Sequence, residues 1–124
     1  MKLLSPRLHA PLDFALVAGF ALAPWLLDFG GAAALLAHVI AAGVFVGSIA
    51  TDYPLGIVKL VPFPIHGYAE LASAFLFVAM PFLFGFGGVA ASRNFFMFMG
   101  VGTIFVFILT DYRAGERASQ PPPG

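Results

Sequence analysis

The sequence contains no cysteine, which excludes disulfides, thiolate nucleophiles and Cys-based metal sites and leaves the redox compartment open. Charge is almost as scarce. Only 10% of the 124 residues are Asp, Glu, Lys or Arg, against about 25% in a water-facing domain. The six acidic and six basic side chains cancel, so no nucleic-acid partner is expected. No phosphate-binding glycine loop, Walker pattern or nucleophile elbow occurs. What remains is apolar: 60% of the residues are hydrophobic and the mean hydropathy is +0.96. That leaves too little polar surface for a globule in water, and the lipid bilayer is the expected surrounding.

Crossing about 30 Å of hydrocarbon takes roughly 20 helical residues. Four stretches meet that length, 9–29, 32–51, 65–86 and 94–112. Phe14 to Leu27, Phe29 to Thr51, Leu71 to Ser92 and Asn94 to Thr110 carry no Asp, Glu, Lys or Arg. Backbone groups in lipid must pair within their own segment, and the alternation of a membrane barrel is absent, so these stretches are expected to be helices. The first resembles a secretory signal, with Lys2 and Arg7 ahead of it and Ala21-Leu22-Ala23 as a cleavage box. Pro24 would follow the cut, and the segment recurs later in the chain, so we read it as a retained helix.

The recurrence organises the chain. His9-Ala-Pro-Leu-Asp13, Pro24-Trp25, Phe29-Gly30-Gly31 and Thr51-Asp52-Tyr53 return as His66-Gly-Tyr-Ala-Glu70, Pro81-Phe82, Phe86-Gly87-Gly88 and Thr110-Asp111-Tyr112. The offset is 57 residues through Gly88 and 59 at Asp111. The expected fold is an all-α membrane protein of four transmembrane helices, formed by two tandem helical hairpins related in a parallel sense. Residues 1–8 form an N-terminal segment, 9–56 the first repeat, 57–65 an interfacial linker, 66–115 the second repeat and 116–124 a disordered tail. Pro24 and Pro81 should kink or end their helices, and Trp25 suits a headgroup-level position. Gly30-Gly31 and Gly87-Gly88 are expected to supply the turns. Lys2, Arg7, Lys59, Arg113 and Arg117 fall on one side and Arg93 alone on the other. That bias predicts both termini in the cytoplasm.

Two hairpins, each with a Pro-aromatic step near the end of its first helix (Ala23-Pro24-Trp25 and Met80-Pro81-Phe82) and a Phe-Gly after it (Phe29-Gly30, Phe86-Gly87), resemble the SPW-repeat family of small prokaryotic integral membrane proteins. The resemblance spans most of residues 8–115. It implies a four-helix inner-membrane fold and carries no established activity. The name-giving Ser is replaced by Ala23 and Met80, and the second Trp by Phe82.

His9 and Asp13 are four residues apart and share one helix face, as do His66 and Glu70. With Asp52 and Asp111 at the same membrane face, these six form the candidate metal set. Two imidazoles with carboxylates can hold a divalent metal, and two facing histidines can ligate a haem. The bland alternative pairs each His with its own carboxylate four residues on and uses Asp52 and Asp111 to fix helix ends. His38 is expected in the opposite half of the bilayer as a neutral, backbone-bonded side chain. Gly43 and Gly47, with Gly100 and Gly102, are small-residue steps expected to serve packing within the monomer. Lys59 is expected to reach headgroups. The scarcity of polar chemistry favours a non-catalytic accessory or scaffold subunit of a membrane complex or homo-oligomer. The alternatives are a metal- or haem-binding membrane protein and a small transporter or channel.

Overall fold

Runs of apolar residues at this length close their own hydrogen bonds as helices, and four result in a computed structural model that describes residues 2–113. They are α1 (Pro6–Leu26), α2 (Gly31–Ile49), α3 (Phe63–Leu83) and α4 (Ala90–Leu109). Each is long and apolar enough to cross a membrane. The expected tail at 116–124 and Arg117 lie outside the described residues.

Boundaries move by one to four residues from the expected ones. Helices α1 and α3 begin earlier because Pro6 and Pro64 occupy the first turn, where a missing N–H leaves nothing unpaired. Helix α4 takes in Ser92 and Arg93 at its start. Pro24 and Pro81 stand two residues before the last residues of α1 and α3. The two ends close alike: Leu27 N donates to Ala23 O and Phe29 N to Pro24 O, while Phe84 N donates to Met80 O and Phe86 N to Pro81 O. A left-handed residue makes that closure. It is Asp28 (φ 54°) after α1 and Gly85 (φ 79°) after α3, positions related by the 57-residue offset. Gly31 (φ 60°) also turns left-handed at the start of α2. The reversal expected of Gly87-Gly88 falls instead on Gly85, because the closure needs its left-handed residue immediately after the helix cap.

Helices pack extensively within each hairpin, α1 on α2 and α3 on α4, and far more sparingly between hairpins, along α1–α4 and α2–α3. The core is aromatic at its centre, with Phe20, Phe77 and Phe96 buried and the Phe20 and Phe77 rings 5.0 Å apart. Alanines 33, 37 and 41 let α2 approach. Gly100 has the backbone of α3 so close that an added Cβ would lie 2.6 Å from Ala74 O. Gly43, Gly47 and Gly102 behave otherwise: nothing lies within 4 Å of a Cβ built on them. Packing inside the monomer therefore accounts for Gly100 and not for these three. Large apolar side chains such as Trp25, Leu26, Phe98 and Phe105 point outward, as lipid-facing surface does.

One end of the bundle is tied by backbone. Leu4 bridges to α4, with Leu4 N donating to Leu109 O and Asp111 N to Leu4 O. The segment after α2 folds back over that helix, where Ile57, Val58, Leu60 and Val61 donate to the carbonyls of Ile49 and Ala50. These are carbonyls that a helix end leaves unpaired. Gly56 is fixed by that fold-back, since a Cβ there would strike Thr51 O. The segment still exposes Leu55, Ile57, Val58 and Leu60. Lys59 Nζ donates to the Tyr53 carbonyl at 2.7 Å, so it holds the loop.

Candidate metal centre

The tied end brings the first turns of α1 and α3 together, and with them His9, Asp13, His66 and Glu70. One ligand atom from each lies within 4.8 Å of all the others. His9 Nε2 is 3.0 Å from Asp13 Oδ1 and 2.9 Å from Glu70 Oε2. His66 Nε2 is 2.9 Å from Asp13 Oδ2 and 3.6 Å from Glu70 Oε2. Each histidine thus makes its shorter contact with the other hairpin's carboxylate, and the cluster joins the two hairpins where their helices touch least. Both within-helix contacts of the bland expectation are present, His66–Glu70 the longer at 3.6 Å, and neither histidine is confined to its own helix.

The opposite ring nitrogens are committed. Thr51 Oγ1 donates to Gly47 O at 2.6 Å and lies 2.8 Å from His66 Nδ1. Thr110 Oγ1 donates to Val106 O at 2.5 Å and lies 2.8 Å from His9 Nδ1. A hydroxyl has one proton, and both are spent on carbonyls, so each Nδ1 must be the donor to its threonine. Both rings therefore carry hydrogen on Nδ1, and both Nε2 atoms face the carboxylates. This is the second-sphere arrangement that fixes the tautomer of a metal-ligating histidine.

Tyrosines flank the cluster. Tyr53 OH donates to Asp13 Oδ2 at 2.9 Å. Burial, with the neighbouring Asp13 charge adding to it, raises the Tyr53 pKa well above the ordinary phenol value, so this donor stays protonated. Tyr112 lies with its ring 5.5 Å from that of His9 and its edge against Gly67. Its hydroxyl is buried without a hydrogen-bond partner among the described residues. Phe63 packs on both tyrosines and on His9 and seals the cluster from the loop side.

Asp52 and Asp111, the other two candidates, lie at the same end but outside the four-residue group. Asp52 is exposed, and Asp111 Oδ1 accepts from Arg113 N at 3.2 Å. The threonine and tyrosine on either side of each aspartate turn inward in its place. A repeated Thr-Asp-Tyr triplet was the available signal, and attention to ionisable residues alone selects the member that stays outside the cluster. His38 sits against Trp25, ring centroids 5.3 Å apart, on the side of the α1–α2 turn and away from the cluster.

Fold and site together define a four-helix membrane protein with a buried cluster of two histidines and two carboxylates. Comparison with protein-family models, curated proteins and solved structures finds no match for this chain.

Proposed function

We propose that the protein binds one divalent transition-metal ion, of the zinc, manganese or ferrous iron type, at the membrane face where the two hairpins meet. The observation that carries this reading is the pair of Nε2 atoms held toward two carboxylates by threonines on the far side of each ring. Tetrahedral ligands about 2.0–2.2 Å from zinc stand roughly 3.3 Å from one another; the four histidine–carboxylate contacts of 2.9–3.6 Å fall near that spacing, and the four ligand atoms as a set lie within 4.8 Å, so they would draw in slightly around an ion. Without an ion, the short Nε2–carboxylate contacts need two additional protons between the groups. A divalent cation replaces those two positive charges with one centre and supplies every ligand atom with a partner. A mixed nitrogen and oxygen donor set without sulfur suits zinc, manganese or iron.

A haem fits less well, because its macrocycle would need the gap between the two histidines and the carboxylates stand there. The accessory-subunit reading drew on a lack of polar chemistry among the helices, and the buried cluster supplies such chemistry. The basic residues favour both termini and the metal centre on the cytoplasmic side, and the SPW-repeat resemblance favours a prokaryotic inner membrane. The exposed apolar residues Ile57, Val58 and Leu60, in the segment ahead of α3, suit an interfacial position. The SPW-repeat resemblance is retained as a proposal for the architecture and the membrane alone.

Elemental analysis of detergent-purified protein, with cobalt(II) titration followed by visible absorption, tests the proposal. About one ion per chain is expected, with the spectrum lost in a His9→Ala, His66→Ala double variant. Absence of both stoichiometric metal and saturable cobalt binding in the wild-type protein would overturn it.

A further inference from the structure

Between α2 and α3 a groove of ≈ 160 Å³ runs down to the cluster, lined by Leu16, Gly43, Val44, Gly47, Ala69, Ser73, Phe77 and Thr103 and ending at His66 and Glu70. Those two are also the most exposed members of the cluster, at 8% and 12% against 0% for His9 and 2% for Asp13. The groove owes its width to small residues. By the 57- and 59-residue offsets, Ala69, Ser73 and Gly47 correspond to Leu12, Leu16 and Val106. The chain therefore carries larger side chains at the equivalent positions along α1 and α4 and omits them here.

Apart from His66, whose two ring nitrogens face Thr51 and Asp13, the polar groups in the groove are all of one kind. Ser73 Oγ donates to Ala69 O at 2.8 Å and Thr103 Oγ1 donates to Met99 O at 2.7 Å. With their protons committed to the backbone, both hydroxyls are left as acceptors, and the Glu70 carboxylate is an acceptor as well. An occupant must bring donors. It must also be apolar enough to arrive through lipid and small enough for the space, and a cavity of about 150 Å³ takes a benzene-sized ring. Phe77, Leu16 and Val44 offer the apolar walls for one.

We infer that this groove is a binding site for a membrane-soluble phenol: a hydroxylated aromatic ring that enters from the bilayer between α2 and α3 and donates its hydroxyl toward Glu70. The inference goes beyond metal binding and does not require an ion in the cluster.

The test uses wild-type protein in lipid nanodiscs with two probes, 4-butylphenol and its methyl ether 4-butylanisole, which share shape and apolarity but differ in the donor. Saturable binding of the phenol is expected by saturation-transfer NMR, and binding of the ether should be at least ~10-fold weaker because a hydrogen bond to a charged acceptor is lost. Ala69→Leu, Ser73→Leu and Gly47→Val each place in the groove a residue the other repeat carries or matches in size, so the bundle should accept them. They should weaken phenol binding at least tenfold while cobalt titration and thermal melting remain as in wild type. Equal binding of phenol and ether, or unchanged phenol binding in all three variants, would overturn the inference. A change of cross-linked oligomeric state in those variants would likewise overturn it and assign the groove to a helix of a second copy. Because cobalt binding is read separately, failure of the phenol site and failure of the metal reading are distinguishable.

Discussion

At the scale of single residues, the centre depends on groups that carry no charge. Thr51 and Thr110 hold the imidazoles by Nδ1, and loss of such an outer partner typically weakens metal binding by about 10–100-fold. Thr51→Val and Thr110→Val are each expected to show that loss in a competition titration against a chromophoric chelator, with the four ligand residues intact. The tyrosines should behave unequally. Tyr53→Phe removes a donor from Asp13 and is expected to destabilise the protein by about 1–3 kcal/mol. Tyr112→Phe deletes a buried hydroxyl that has no hydrogen-bond partner among the described residues and should stay within about 0.5 kcal/mol of wild type or stabilise it. Unfolding by a denaturing detergent measures both. The sequence placed His9, Asp13, His66 and Glu70 among six candidates, since His and carboxylate four apart in two copies stand out in so apolar a chain, but it did not separate them from Asp52 and Asp111. It did not show which side of Thr-Asp-Tyr turns inward, because that depends on how the segments after α2 and α4 leave their helices.

At the scale of elements, helix ends and close approaches dominate. The left-handed turn after α1 is made by Asp28, while the equivalent turn after α3 has Gly85. A side chain in that conformation costs up to about 1–2 kcal/mol, less for Asp than for most residues. Asp28→Gly should therefore raise stability by roughly 0.5–1 kcal/mol once the glycine's greater unfolded freedom is counted, measurable as an upward shift in melting temperature. Gly100 permits the α3–α4 approach, and Gly100→Ala would push a methyl against Ala74 O and Val78. A loss of about 1–3 kcal/mol is expected from such overpacking. Helix existence was legible from hydropathy because lipid leaves the backbone no alternative to internal pairing. The glycine roles were not, since spacing alone says nothing of which face of a helix meets a neighbour: Gly43 and Gly47 have the small-residue spacing yet nothing packs on them.

At the scale of the whole molecule, the hairpins are two well-packed units with a thin seam, and the cluster is the main polar link across it. An ion held by both halves binds only the assembled form and stabilises it by mass action. Added zinc is therefore expected to raise the melting temperature of wild-type protein, by an increment that grows with zinc concentration. The same addition should leave the His9→Ala, His66→Ala variant unmoved. Equal shifts in the two proteins would mean that zinc acts elsewhere.

Each hairpin owns one imidazole and one carboxylate of the centre, so a ribosome that has released only the first pair of helices has delivered half of it. On the proposed metal reading, ion capture waits until the second pair has been inserted and has docked, which would make loading a late step of biogenesis and the filled centre a mark of completed assembly.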